Sequence, residues 1–392
     1  STLENGVSVT ASPTLQTATP KAPEFESTWL YGNVNKYAYY FADLLVGWPT
    51  PQRVSVIVDT GSSLCGFPCS VCAHCGEHLD PLFDFEASTS ALALPCGPEC
   101  DGGCQKDLCA YTQAYAEGSS VTGFWFRDRT QLADALGDNA PVNASLGCHV
   151  DERKLFFTQR VNGIMGLAPR RTKDGQPTIL RELFEDKAHV RTDIFSFCLS
   201  EWGGILNIGG FDGQYHVGTT GEIKVEPQWV PMDTSGYYIV APHEMTIGDV
   251  VLVSDPASFG DAIVDSGTTF TYFPHQAFLK LSKAVDAFCA AAPGCAAKLV
   301  DESSGCWQLE DAEAGPTKFP TLALAFEGGA VVTWPAKAYM YERSVPGVWC
   351  RSFADNGDTV STVLGVSWML HKDIVFDIAG GRLGVAEAVC PE

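Results

Sequence analysis

Apolar residues in this chain gather into short alternating or β-branched runs closed by Gly, Pro, Asn or Asp, a pattern of strands and turns rather than helices. Tyr37–Gly47 (YAYYFADLLVG) alternates as a strand, and Trp48–Gln52 turns it. In Val54–Leu64 (VSVIVDTGSSL) an apolar run climbs to Asp59 and breaks at Thr60-Gly61-Ser62-Ser63. That reads as a buried strand delivering a carboxylate into a tight turn. The pattern returns in Asp261–Phe270 (DAIVDSGTTF), which runs into Asp265 and then Ser266-Gly267-Thr268-Thr269. Leu108–Phe126 holds two strands around Glu117-Gly118-Ser119-Ser120, a hairpin with a glycine at its tip. Val375–Ala386 (VFDIAGGRLGVA) reads as a closing hairpin, and Gln276–Ala291 is the best helical signal.

The two halves share an order. Each Asp turn is followed by an apolar, Gly-bearing segment, Val161–Pro169 (VNGIMGLAP) in the first and Thr362–Trp368 (TVLGVSW) in the second. The aspartates lie about 206 residues apart, which is duplicated architecture and not a solenoid repeat. The expected fold is mainly β, with two related lobes and a boundary near Gly209. Residues 1–27, rich in Ser, Thr and Pro, read as a tail left from a prosegment. Residues 28–208 form the N-terminal lobe and 209–392 the C-terminal lobe.

Composition narrows the class. A chain of 392 residues, 45% hydrophobic, can bury a large core. The formal charge of −22 argues against a nucleic-acid surface and suits either a basic substrate or a solvated acidic exterior. Fifteen cysteines point to an oxidising compartment. Cys65, Cys69, Cys72, Cys75, Cys96, Cys100, Cys104 and Cys109 crowd residues 65–109; Cys148, Cys198, Cys289, Cys295, Cys306, Cys350 and Cys390 complete the set. Zinc is the alternative for the CxxCxxC run with His74 and His78, but a disulfide-stapled insertion fits better and no metal is assigned. An odd total leaves one thiol over, and Cys65, in the apolar continuation of the Asp59 turn, is the candidate. Asn143-Ala144-Ser145 is a glycosylation sequon. No apolar run approaches the ~18–20 residues of a membrane span, and no basic-then-apolar leader opens the chain; a membrane anchor would lie outside it.

Two carboxylates presented by equivalent turns suggest chemistry. At ~4 Å and an effective dielectric of ~20, two ionised carboxylates repel by about 4 kcal/mol, or roughly three pKa units. One proton is then shared over a wide pH range, and the pair Asp59/Asp265 holds an acid and a base at once. The ionised partner can activate a water against a peptide carbonyl, and the protonated one can donate to the oxyanion. No cofactor is needed. Gly61 and Gly267 let the loops pass closely, Thr60 and Ser266 offer hydroxyls to cross-brace them, and Ser62 and Thr268 complete the two turns. Glycoside hydrolysis also uses two carboxylates, but those stand several ångströms apart and rarely come from duplicated turns. Zinc-protease and GxSxG signatures are missing.

Asp59-Thr60-Gly61-Ser62-Ser63, Asp265-Ser266-Gly267-Thr268-Thr269 and the two apolar-Gly segments resemble the pepsin-type aspartic proteases, over about residues 36 to 390. The resemblance implies a bilobal β fold with its cleft between the lobes. It makes residues 111–126 the flap over substrate, with Tyr115 the flap tyrosine and Gly118, Ser119 and Thr269 close to substrate. The cysteine-rich insertion is similar to that of nepenthesins. Together with Gln113–Ser119 it resembles plasmepsin V and its apicomplexan relatives, including the Toxoplasma Golgi protease. Those are secretory-pathway proteases, of the Golgi or endoplasmic reticulum, that cut effector proteins after Leu in Arg-x-Leu motifs. The likeness implies that Glu117 and Asp80, or Glu77 in its place, hold the substrate Arg, and that peptidomimetic transition-state inhibitors bind. It also implies a monomer, with bridges Cys306–Cys350, Cys198–Cys390 and a local Cys289–Cys295. Two departures stand out. Gly66 occupies the place of the Trp that bonds the flap tyrosine, and Ala116 the place of a flap Cys. The rival readings are a broad digestive protease of nepenthesin type and an inactive pepsin-like binding or inhibitor protein.

Overall fold

The computed structural model describes residues 25–133, 139–218, 223, 225–291, 297–301 and 305–392. The chain is mainly β, as its short apolar runs dictate. Its largest sheet contains a platform of strands in the order Gln228–Pro231, Arg382–Glu387, Lys372–Asp377, Ile194–Leu199, Gly204–Ile208 and Glu26–Asn33. Both halves of the chain contribute to it, and Phe195 stacks on Phe376 at 4.4 Å where they meet. The strand Glu26–Asn33 reaches into the supposed tail: Glu26 and Ser27 are buried and pair with Ile208 and Asn207. Ordered structure therefore starts before residue 28.

Past the platform the sheet continues into the N-terminal lobe. Tyr39–Val46 pairs antiparallel with Gln52–Asp59, and Gly163–Gly166 lies parallel to the latter, with Gly166 opposite Asp59. The C-terminal lobe repeats this locally: Thr362–Leu364 lies parallel to Ala262–Val264, just before Asp265. Each apolar-Gly segment thus flanks an Asp strand. These strands are covered on both faces, so they read as continuous apolar runs rather than alternating ones; Val56, Val58, Ala262 and Val264 are all buried.

The helix His275–Ala291 buries Ala277, Leu281, Val285 and Cys289, one face at a four-residue interval. The closing hairpin pairs Lys372–Asp377 with Arg382–Glu387. No helix among the described residues is long and apolar enough to cross a membrane.

Disulfides explain the insertion. Cys72–Cys75, Cys96–Cys104 and Cys100–Cys109 close local loops, and Cys69–Cys148 anchors them to the strand Val142–Arg153. The thiolates that a zinc site would need are used in these bridges. Cys198 pairs with Cys390 and Cys306 with Cys350. Cys289 is also bonded, while its expected partner Cys295 lies outside the described residues. Cys65 is free and buried.

Candidate active site

Asp59 ends its strand and Asp265 follows its own, and the strand–turn–strand geometry brings the two tips together across the seam between the lobes. The Gly61 amide donates to Asp59 Oδ1 at 2.8 Å and the Gly267 amide to Asp265 Oδ1 at 2.9 Å. The Ser62 hydroxyl donates to Asp59 Oδ2, and the Thr268 hydroxyl to Asp265 Oδ2 at 2.5 Å. Each loop presents a glycine to the opposite carboxylate. A Cβ on Gly61 would overlap the Asp265 carboxyl, and one on Gly267 would overlap that of Asp59. Beneath them, Thr60 and Ser266 are buried and hydrogen-bond each other's loops.

Burial first, and then the charge of Asp265, push the Asp59 carboxyl up to about 8, against the pull of the Ser62 and Gly61 donors. The pair therefore holds a proton through the acid and neutral range. This is the arrangement in which one carboxyl gives a proton while the other takes one.

Both carboxylates line a long cleft roofed by the hairpin. Tyr115, Glu117 and Ser119 face it from the flap, and Thr269 from the second Asp loop. Thr269 also donates to the carbonyl of Ala38, tying the lobes at the cleft floor. Gly118 turns the tip at φ +86°, a backbone that favours glycine. Ser119 is buried and donates to Glu117 Oε1, which fixes the acid's orientation.

Two expected Arg ligands stand elsewhere. Asp80 is buried, accepts from the Ser55 amide at 2.9 Å and pairs with Arg53 at 2.7 Å. It serves the lobe's interior and does not line the cleft. Glu77 is exposed and does not line it either. Asn143 lies exposed on the strand Val142–Arg153.

With Gly66 in place of an indole, the flap tyrosine finds another support. Its ring packs on Phe156, centroids 5.0 Å apart, from the short helix Leu155–Thr158. The Tyr115 phenol is buried beside Ser62 and Asp59 without a well-formed hydrogen bond. Phe156 has no sequence signal beyond the missing Trp. Also unforeseen are basic side chains on the cleft rim, Arg160, Arg170, Arg171 and Lys173, in a chain of net charge −22.

Comparison with known proteins agrees with this geometry. The sequence model for eukaryotic aspartyl proteases matches residues 39–388. Aspartic protease 5 of Toxoplasma gondii is 32% identical over 92% of this chain, which spans 37% of that protein's length. Plasmepsin V of Plasmodium falciparum is 25% identical over 92% of the chain, covering 73% of its own length. Aspartic proteinase nepenthesin-1 of Nepenthes gracilis is 24% identical over 90% of the chain and covers 78% of its own. A duplicated Asp turn, a roofing hairpin and a match along nearly the whole chain lead to one statement: the chain belongs to the eukaryotic aspartyl protease family.

Proposed function

We propose that this chain is an aspartic endopeptidase. Asp265 takes a proton from a water, whose oxygen attacks the peptide carbonyl carbon, while Asp59 donates its proton to the developing oxyanion. On collapse of the tetrahedral intermediate the C–N bond breaks, Asp265 passes the proton it took to the leaving nitrogen, and Asp59 recovers one from the hydroxyl that becomes the new carboxyl's carbonyl. The observation that carries this reading is the pair of carboxyls, each held by its own turn and each facing the other loop's glycine.

The substrates we infer are secretory or effector proteins cut after Leu in Arg-x-Leu motifs. Support comes from Glu117, an acid oriented by Ser119 on the cleft wall. A guanidinium fork suits a carboxylate there better than an ammonium does. The disulfide-rich insertion and the exposed sequon at Asn143 favour work as a glycoprotein in the lumen of the Golgi or endoplasmic reticulum. We read the chain as a monomer.

A cleavage profile on a peptide library, run from acid to neutral pH, tests this. Expected are cuts after Leu with Arg two residues earlier, and a loss of roughly tenfold or more when that Arg becomes Lys. Broad cleavage indifferent to Arg would replace the processing role with a digestive one. No cleavage at any pH would leave a binding protein.

A further inference from the structure

Three buried side chains tie the cysteine-rich insertion to the backing of the flap. Glu152 accepts from His149 Nδ1 at 2.8 Å, from His78 Nε2 at 3.0 Å and from the Gly76 amide at 3.3 Å. The side chains of His78, His149 and Glu152 are at most 1% exposed. The other nitrogen of His78, Nδ1, lies 3.1 Å from the carbonyl oxygen of Gln159. A carbonyl can only accept, and so can an ionised carboxylate. His78 therefore satisfies both neighbours only with both ring nitrogens protonated.

The His78 ring thus spans the two ends of residues 152–159, and Phe156 sits between them. The Phe156 ring carries Tyr115 on one side and meets the His149 ring edge-on at 6.1 Å and 87°. The same segment borders the flap's returning strand, with Val121 opposite Glu152 and Ser120 opposite Arg153. The Lys154 ammonium reaches the flap-tip Gly118. His149 Nε2 is buried, has no hydrogen-bond partner and abuts Gly66, where the flap-bonding Trp is missing.

We propose that His78, Glu152 and His149 are positioning residues for proteolysis, holding Phe156 beneath the flap tyrosine, with His78 acting as the imidazolium. The catalytic half of this rests on the protease reading; the structural half does not. Burial acts to raise Glu152, but the bonds from both imidazoles outweigh it and hold the carboxyl below its usual range. An ionised Glu152 accepts from both imidazoles, whereas a neutral His78 could keep only one of its two bonds. Among the described residues, Tyr111 faces the triad from the flap side, and His74 with Asp151 from the insertion edge; Tyr115 and Lys154 meet its segment through Phe156 and at the flap tip. His74 bonds the Glu152 carbonyl rather than its carboxylate.

The test is amide hydrogen exchange of residues 111–126 in wild type, His78→Gln and Glu152→Gln, each compared at the same pH, with kcat/KM measured in parallel. In acid the flap of each variant should exchange several-fold faster than wild type, while the C-terminal lobe is unchanged. The kcat/KM of His78→Gln should fall about tenfold, the scale of one charge-assisted hydrogen bond. Both differences should shrink as pH rises, because wild type loses the same bond. Glu152→Gln need not fold for the test to stand, since His78→Gln alone decides it. A flap equally protected in folded His78→Gln, or a wild-type-to-variant ratio constant with pH, would reduce the triad to ordinary packing. Exchange is read without turnover, so a loosened flap supports the proposal even if wild type cleaves nothing, a result that would instead overturn the protease reading.

Discussion

Thr60 and Ser266 trade hydrogen bonds across the seam. The Thr60 amide donates to Ser266 Oγ at 3.1 Å, and the Ser266 amide donates to Thr60 Oγ1 at 2.9 Å. Each hydroxyl then donates onward, Thr60 to the Val264 carbonyl and Ser266 to the Val58 carbonyl, both at 2.8 Å. The residue before each is a dyad aspartate, so this brace sets how far apart the carboxyls stand.

Ser266→Ala should therefore be costly. It strands the buried Thr60 amide and the Val58 carbonyl, at about 1–3 kcal/mol for a stranded group. Urea unfolding should show that loss together with reduced kcat. Thr60→Ser keeps all four bonds and gives up one methyl, about 1 kcal/mol. Equal destabilisation by both changes would mean that the brace is packing, not hydrogen bonding.

The dyad should make stability depend on pH. The folded Asp59 carboxyl is raised to about 8 from an ordinary 3.8, so the native state binds the proton more tightly than the unfolded chain. Its contribution is complete below the ordinary value and is lost as pH climbs through the raised one. Asp59→Asn removes this dependence and should be the more stable protein at neutral pH, by on the order of a few kcal/mol. Denaturation of both proteins in acid and at neutral pH checks it. Parallel curves would place the proton elsewhere.

Two acids test the proposed specificity against architecture. Glu117→Gln should erase most of the preference for Arg over Lys in the substrate while leaving stability within about 0.5 kcal/mol, as for an exposed residue. Asp80→Asn should do the reverse, weakening the Arg53 pairing and the Ser55 bond while leaving the preference intact. Melting and peptide competition together distinguish them.

Tyr115→Phe should leave the melting temperature of the free protein nearly unchanged, because its phenol has no well-formed bond to lose. Phe156→Ala, which removes a buried ring from beneath it, should cost about 3–5 kcal/mol. A large loss from Tyr115→Phe would mean that Ser62 already bonds the phenol in the free protein.

The local features were readable from sequence because their causes are local. An apolar strand running into Asp-Thr-Gly or Asp-Ser-Gly specifies its own turn, and Glu117-Gly118-Ser119 its own hairpin. Which way a side chain faces was not readable. Asp80 looked like a cleft acid because nothing in Cys75–Asp80 reveals that Ser55 and Arg53, more than twenty residues earlier, would claim it. The Cys69–Cys148 bridge and the Phe156–Tyr115 contact join residues 79 and about 41 positions apart, and no periodicity encodes them. The strand at Glu26 was hidden because its Ser/Thr-rich neighbours read as tail, whereas pairing with residues 204–208 buries it.

The most direct measurement is peptide cleavage by Asp59→Asn and Asp265→Asn, isosteric changes that leave the loops' glycines and hydroxyls in place, with the fold of each verified. If the two carboxyls act as one acid–base unit, each single change should lower kcat/KM at least ~1000-fold, and the double change little further. Wild-type turnover by either variant would contradict the account.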